Sequence, residues 1–477
     1  MPTVTFYNTL GRSLQEFRPL KPGKVGFYGC GPTVYNYAHI GNLRAYVFHD
    51  TLVRALRYLG YEVTHVMNIT DVGHLSGDVD TGEDKMVKSA AERGQSVLEV
   101  ARFYTEAFFR DCGRLNILRP EVVCKATEHL DDMIALIRRI EERGFTYSSG
   151  GNLYFDVTKF PNYGELALIK LDELKAGARI EVDENKRHPA DFALWFTKSK
   201  FVNQALVWDS PWGRGYPGWH IECSAMSMKY LGEQFDIHAG GIDHIPIHHT
   251  NEIAQSEAAT GKKWVDYWLH NEFLVISNGK MSKSSGGFLT LQRLVDSGYE
   301  PLDYRYFLLG AHYRSQLQYS GESMDSAKSA RRSLGERVLA LKDKAGSRPL
   351  PHPGALGPEA RGYLEAFASA IAQDMATPRA LAELWGLLRD PKLDPAEALA
   401  AAFDMDRVLG LGLEALERPP ESAVEPELAA EIEKLVAERA AAKKAKDFAR
   451  ADAIRNELKA RGIVLEDGPS GTSWRRA

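Results

Sequence analysis

Cysteine is scarce: the 477 residues hold four, Cys30, Cys112, Cys124 and Cys223, widely separated. That excludes a disulfide scaffold and fits a reducing compartment, with Cys112 and Cys124 expected as buried structural thiols. No apolar run approaches the roughly 18 residues a membrane-spanning helix needs. The opening MPTVTFYNTLGRSLQEF lacks the basic-then-apolar order of a secretory leader, so a cytoplasmic protein without membrane attachment is expected. Charge of one sign is not in excess. With 59 Lys+Arg against 64 Asp+Glu the net charge is −5, so bulk electrostatics do not announce a nucleic-acid binder, and any such contact would need a local basic patch. The common nucleotide-binding signatures are missing too: there is no Walker A sequence, and GCGPTV at Gly29–Val34 stops short of a complete G-x-G-x-x-G.

What is present reads as a globular chain of several domains, 44% hydrophobic and 26% charged. KVGFYG (24–29) reads as a buried strand, 42–59 as a helix with apolar residues at helical spacing, and EVTHVMNI (62–69) as a second strand. Strand, helix, strand predicts a parallel, doubly wound sheet. Residues 122–200 read as an insertion, and 206–270 return to alternating strands and helices. Two Pro/Gly-rich joints, 345–358 and 417–426, flank an Ala- and Leu-rich helical stretch. In the tail, Phe448, Ala451, Ile454 and Leu458 predict one apolar helix face, with Asp447 as its cap. Eight Lys/Arg against three Asp/Glu between Arg439 and Arg461 make that region locally basic, either a solvated helix face or a phosphate-contacting surface.

Three short stretches carry chemistry. His39-Ile40-Gly41-Asn42 lies where a loop enters a helix, a place where free backbone N–H groups attract phosphate. Gly41 would let a purine approach the backbone, and His39 and Asn42 could donate to phosphate oxygens as charge develops. Taken alone, four such residues are more often a plain helix start. Lys280-Met281-Ser282-Lys283-Ser284 sits in a polar loop after the second half of the sheet, and its two lysines suit the spread negative charge of a transferring nucleotidyl group. Gly240-Gly241-Ile242-Asp243 follows a strand, where the glycines permit close approach and Asp243 can accept from ribose hydroxyls. Cys30, Cys223, His248 and Glu252 together would make a soft zinc site, with His248 and Glu252 at i and i+4 of a helix. Spacing alone does not separate that site from buried thiols and an ordinary helical His/Glu pair.

The HIGN and KMSKS stretches, in this order, resemble the class I aminoacyl-tRNA synthetases. GCGPTVYNYAHIGN, NITDV, CGRLNILRP, ATEHLDDMI, GARIEVDE, DFALW, PGWHIECSAM, NEIAQSEA and ADAIRNELKARGIVLEDGPSGTSWR extend the likeness nearly end to end, toward the cysteine-specific branch of that family. Asn42 stands where the family motif has a second histidine. TDVGHLSGDVDTGEDKM is longer than the usual TDVDDKI, so an extra loop at 73–83 is expected near the mouth of the site. The resemblance implies ATP-dependent ligation of L-cysteine to tRNA(Cys) through a cysteinyl adenylate. It implies one Zn2+ on Cys30, Cys223, His248 and Glu252, and Mg2+ accompanying ATP. Thr70, Trp219 and His238 are implied around the amino acid. Thr33, His39, Gly41, Asn42, Gly240, Gly241, Asp243 and Lys283 are implied around ATP, with His39, Asn42, Lys280 and Lys283 stabilising transferred charge. Zinc that takes the substrate thiol would separate cysteine from serine, because sites whose polar partners go unsatisfied reach roughly 10⁴–10⁵ in discrimination.

The fold implied is α/β: a split Rossmann-like catalytic domain of the HUP type (1–121 and 201–270), an inserted connective domain (122–200) and a KMSKS and stem-contact region (271–330). A helical bundle (331–416) and a small C-terminal anticodon-recognition extension (427–477) follow. A monomer is expected. A ligase passing the same adenylate to an amino sugar, as in mycothiol-type biosynthesis, is the alternative; it would lack a full anticodon-binding end. A zinc-stabilised RNA-binding module without catalysis is a third reading, and it would have no need of the two clamp lysines.

Overall fold

The computed structural model describes residues 2–72, 85–171, 184–198, 206–276, 289–418, 426–468 and 471–476. They form two compact units, Met1–Ala415 and Leu416–Ala477. At the centre of the first is a five-stranded parallel sheet in the order Val265–Asn271, Phe235–Gly241, Lys24–Gly29, Glu62–Ile69, Val122–Lys125. Strands buried on both faces need near-continuous apolar runs, and VMNI at the end of Glu62–Ile69 is entirely buried, as is all but the last residue of Phe235–Gly241. The first half of the chain lays its three strands outward in one direction and the second half lays two in the other. The order therefore reverses between Lys24–Gly29 and Phe235–Gly241, and in such sheets ligands bind beyond the carboxyl ends at the reversal. Gly29 is in register with Ala239 there, and the Cys30 N–H donates to the Ala239 carbonyl at 3.2 Å.

The insertion is placed differently from the sequence expectation. Val122–Lys125 is the edge strand of the parallel sheet. The helix Leu130–Glu142 turns its apolar stripe of Leu130, Met133, Leu136, Ile137 and Ile140 onto the helices Trp219–Leu231 and Thr250–Thr260. The inserted structure is a four-stranded antiparallel sheet, Thr146–Ser149, Asn152–Phe155, Phe192–Phe196 and Tyr216–Pro217, so it ends well past residue 200. Phe155, Phe192 and Trp195 share one hydrophobic core with Tyr28, Val66 and Trp264 of the parallel layer. A shared core has no composition break at its edge, which is why the boundary was misplaced.

Beyond the sheet, Leu274–Ile276 pairs with Leu317–Tyr319, and the helices Pro301–Leu309, Gly321–Ala345, Pro358–Ala372, Thr377–Arg389 and Pro395–Leu409 follow. Gly321–Ala345 runs unbroken through the expected boundary at 330. In the second unit the helices Pro426–Lys444 and Phe448–Ala460 pack with the hairpin Ile463–Gly468/Gly471–Arg476 around Ile432, Val436, Ile454, Leu458 and Ile463. Asp447 caps the second helix by accepting from the Arg450 N–H at 3.0 Å. Phe448 is 63% exposed and does not join the apolar face. At about 100° per residue it lies roughly 80° off the direction shared by Ala451, Ile454 and Leu458. Arg450 and Arg461 of the basic stretch pair with Glu438 and Glu431 on the neighbouring helix. No helix among the described residues is long and apolar enough to cross a membrane.

Candidate functional site

A cavity of about 450 Å³ opens at the strand-order reversal. Cys30, Thr33, His39, Gly41, Asn42, Thr70, Trp219, Cys223, Gly240, Gly241, Asp243 and His248 all line it. Residues far apart in sequence meet because both halves of the sheet end there. The turn after Lys24–Gly29 is tight: a Cβ on Gly31 would sit 1.6 Å from the Asn68 carbonyl oxygen. The Gly31 N–H instead donates to Asn68 Oδ1 at 2.8 Å, Asn68 Nδ2 donates to Thr70 Oγ1 at 3.0 Å, and Thr70 Oγ1 donates to Glu222 Oε2 at 3.2 Å. Thr33 pairs with Thr70 across a single bridge. Gly240 is demanded by packing as well, since a Cβ there would lie 2.8 Å from both His244 Nδ1 and His249 Cε1.

The helix Ile40–Tyr58 begins with a reciprocal cap. His39 Nδ1 accepts from the Asn42 N–H at 3.1 Å, and Asn42 Oδ1 accepts from the His39 N–H at 3.2 Å. This satisfies backbone donors that a helix start otherwise leaves open. Burial pushes the His39 imidazole below its ordinary pKa, partly countered by Asp243, which favours the neutral ring. With Nδ1 accepting, the proton of the neutral ring belongs on Nε2. A Cβ on Gly41 would come within 3.0 Å of the His39 ring, so Gly41 also fixes where that ring stands.

Beneath the cavity, Cys30, His248, His249 and Glu252 each place one candidate ligand atom within 4.8 Å of the others, all buried. Cys223 lies beside them, within hydrogen-bonding reach of the Cys30 thiol and the Glu252 carboxyl. The chain reaches this point through an unusual turn: Ile245–His249 is a π-helical segment running into the helix Thr250–Thr260. Such a segment inserts an extra residue into the helical winding and is frequent at functional sites. Here it brings two adjacent histidines to one cluster. His248 Nε2 is 3.7 Å from Glu252 Oε1, and His249 Nε2 is 3.8 Å from Glu252 Oε2 and 3.4 Å from Cys30 Sγ. Burial pushes the Glu252 carboxyl and the Cys30 thiol well up and the His249 imidazole well down. Neither Glu252 oxygen has a hydrogen bond of normal geometry. A buried carboxyl ringed by thiols and imidazoles, with no well-formed hydrogen bond to either oxygen, is a site whose balance a divalent cation restores. The donor set suits a soft to borderline metal such as zinc and is wrong for Mg2+ or Ca2+.

His238 sits behind this cluster, not on the cavity wall: it is fully buried, its Nε2 is 3.2 Å from Glu252 Oε2, and its ring stacks on Trp268. Lys280 and Lys283 lie outside the described residues, as does the expected extra loop at 73–83. The sequence reading missed the groups behind the ligands. His249 Nδ1 is 2.7 Å from His270 Nε2, His270 Nδ1 is 2.7 Å from Thr9 Oγ1, and His220 Nδ1 is 3.0 Å from His248 Nδ1. The His-His doublet was their only sequence signal; His220 and His270 come from other elements. Metal-binding histidines characteristically hold a second partner in this way.

Residues 16–329 match the family described as "tRNA synthetases class I (C) catalytic domain", and residues 425–475 match "Cysteinyl-tRNA ligase anticodon binding domain". Among curated proteins the chain is 57% identical to the cysteine–tRNA ligase of Treponema denticola, over 99% of this chain and 100% of that one. It is 46% identical to that of Zymomonas mobilis, over 99% and 98%. A methionyl-tRNA synthetase of Mycobacterium tuberculosis, solved with methionyl-adenylate, superposes with a TM-score of 0.56 at 16% identity, covering 81% of this chain and 90% of that one. That structural likeness concerns the fold.

Proposed function

The chain belongs to the cysteine–tRNA ligase family of class I tRNA synthetases, and on that premise we propose that it joins L-cysteine to tRNA(Cys), driven by ATP, through a cysteinyl adenylate. One observation carries this reading: a buried Cys/His/Glu cluster adjoins the same cavity as the HIGN start of the helix Ile40–Tyr58. Cys30, Cys223, His248 and Glu252 would hold the metal, with His249 close enough to join or replace one of them. Zinc held there would supply affinity for the substrate sulfur as thiolate, which the hydroxyl of serine does not match.

The chain's own residues do the rest. Thr70 and Trp219 flank the amino acid beside Cys223, and His238 holds Glu252 in place. The cysteine carboxylate attacks the α-phosphorus of Mg2+-bound ATP; the new P–O bond forms as the bond to pyrophosphate breaks. His39 donates from Nε2 to phosphate oxygens in that transition state, and the Asn42 backbone N–H, donating to Nδ1, keeps its ring turned correctly. Gly41, Gly240 and Gly241 let the nucleotide lie against the backbone beside Thr33, and Asp243 accepts from the ribose. Lys280 and Lys283 neutralise the departing pyrophosphate. The 2′- or 3′-hydroxyl of the terminal adenosine then attacks the acyl carbon and AMP leaves. This is catalysis by positioning and electrostatics. Four free cysteines, all buried, suit a reducing compartment, and we place the enzyme in the cytoplasm as a monomer.

An amino-sugar ligase has no use for the second unit, whose residues 425–475 match an anticodon-binding family. Cysteine-dependent exchange of labelled pyrophosphate into ATP, followed by esterification of tRNA(Cys), is the expected outcome. Exchange accompanied by cysteinyl transfer to an amino sugar and none to tRNA(Cys) would overturn it.

A further inference from the structure

We propose that the cavity carries a stacking platform, centred on Tyr37, that receives the base of the 3′-terminal adenosine of tRNA. This rests on the ligase reading above. The reaction requires two adenosines in one cavity at once: that of the adenylate, and that of the acceptor whose hydroxyl attacks it. Of the residues assigned to the first, Gly240, Gly241 and Asp243 lie at the end of the strand Phe235–Gly241. Tyr37 also lines the cavity. It stands just ahead of His39 and packs on Phe103 and Tyr104 of the helix Val97–Arg114.

Tyr37 remains 39% exposed, yet it is braced. Its ring centroid is 5.2 Å from Tyr104 at 87° and 6.0 Å from Phe103 at 74°, both edge-on contacts. Phe103 and Tyr104 are themselves held. The Arg93 guanidinium lies 4.2 Å over the Phe103 ring, and Arg93 Nη1 donates to the Tyr104 hydroxyl at 3.3 Å. An accessible aromatic ring fixed at a cavity rim has its rotamer entropy already spent and offers an open surface for a nucleobase. Base–aromatic stacking is a recurrent way of holding an unpaired nucleotide. Exposed Arg93 adds a cation at the same rim for the adjoining phosphodiester.

The test uses the full chain and a tRNA(Cys) transcript ending in 2-aminopurine riboside, whose fluorescence falls on stacking. Wild type should quench it several-fold. Tyr37→Ala should abolish most of the quench and raise the tRNA KM of esterification about tenfold, while the ATP KM in pyrophosphate exchange shifts by less than about twofold. Tyr37→Phe should retain both wild-type values, separating the ring from its hydroxyl. An unchanged quench in Tyr37→Ala overturns the proposal. An ATP KM that rises in step with the tRNA KM also overturns it, because the ring would then serve the adenine of ATP. Wild type that exchanges pyrophosphate without quenching the probe refutes the platform alone; wild type that does not exchange refutes the ligase reading instead.

Discussion

At His39 the bond made by one ring nitrogen decides the state of the other: Nδ1 accepts at the helix start, so the proton of the neutral ring is on Nε2. Gly41→Ala puts a methyl group against that ring and should lower the rate of cysteine-dependent pyrophosphate exchange by at least about tenfold with little change in thermal midpoint. Cys223→Ser removes a soft donor, and bound zinc and cysteine activation should fall together when metal content and exchange are measured on the same preparation. His49 offers a different check. Burial, with His238 and His244 nearby, pushes its pKa down to about 3, so it is neutral in the folded chain. An unfolded histidine takes its proton near 6.5, so the unfolded state binds that proton first as pH falls. Stability from this site is therefore complete above about pH 6.5 and is lost between about 6.5 and 3. His49→Phe should flatten urea-measured stability against pH in that window by up to about 1.4 kcal/mol per pH unit. A slope identical to wild type would mean the ring is not held neutral.

Between elements, polar groups do the joining. Arg305, fully buried, donates to Asp50 Oδ2 at 2.6 Å on the helix that carries HIGN, to the Leu409 carbonyl at 2.6 Å at the end of the last bundle helix, and to the Leu115 carbonyl at 3.0 Å. Arg44, two positions past Asn42, donates to the carbonyls of Phe273 and Ser315, which flank the paired strands Leu274–Ile276 and Leu317–Tyr319. The active-site helix is thus tied to the regions that follow the sheet. Arg305→Met removes one of two guanidinium partners of the buried Asp50 carboxylate, which keeps Arg54 Nε at 2.9 Å and the Leu118 N–H at 2.8 Å, and should cost about 1–3 kcal/mol, read from the thermal midpoint; an unchanged midpoint would contradict it. The strands Lys24–Gly29 and Glu62–Ile69 and the helix between them were legible because apolar spacing dictates them directly. The apolar face of Phe448–Ala460 was legible in Ala451, Ile454 and Leu458. Phe448 was misassigned because hydrophobicity was counted where only angle decides burial.

For the molecule as a whole, the two compact units match two different family models. A chain ending at residue 415 should keep cysteine-dependent pyrophosphate exchange within about threefold, while esterification of tRNA(Cys) should fall by about a hundredfold or more, since the matched anticodon-binding segment lies beyond it. Equal loss of both activities would mean the second unit supports the cavity. The amino-acid order by itself determined the doubly wound sheet and the start of a helix at HIGN, because those follow from short-range periodicity; Cys30, Cys223, His248 and Glu252 were grouped only through the family resemblance, since their spacing alone does not separate a metal site from buried thiols and a helical His/Glu pair. Only the tertiary structure decided that the strand Val122–Lys125 belongs to the parallel sheet, that a π-helical turn brings His249 in beside His248, and that His238 stands against Glu252. Those outcomes depend on how strands from distant segments align and on which side of a buried carboxylate a ring can fit, and neither strand register nor packing space has a local signature in the chain.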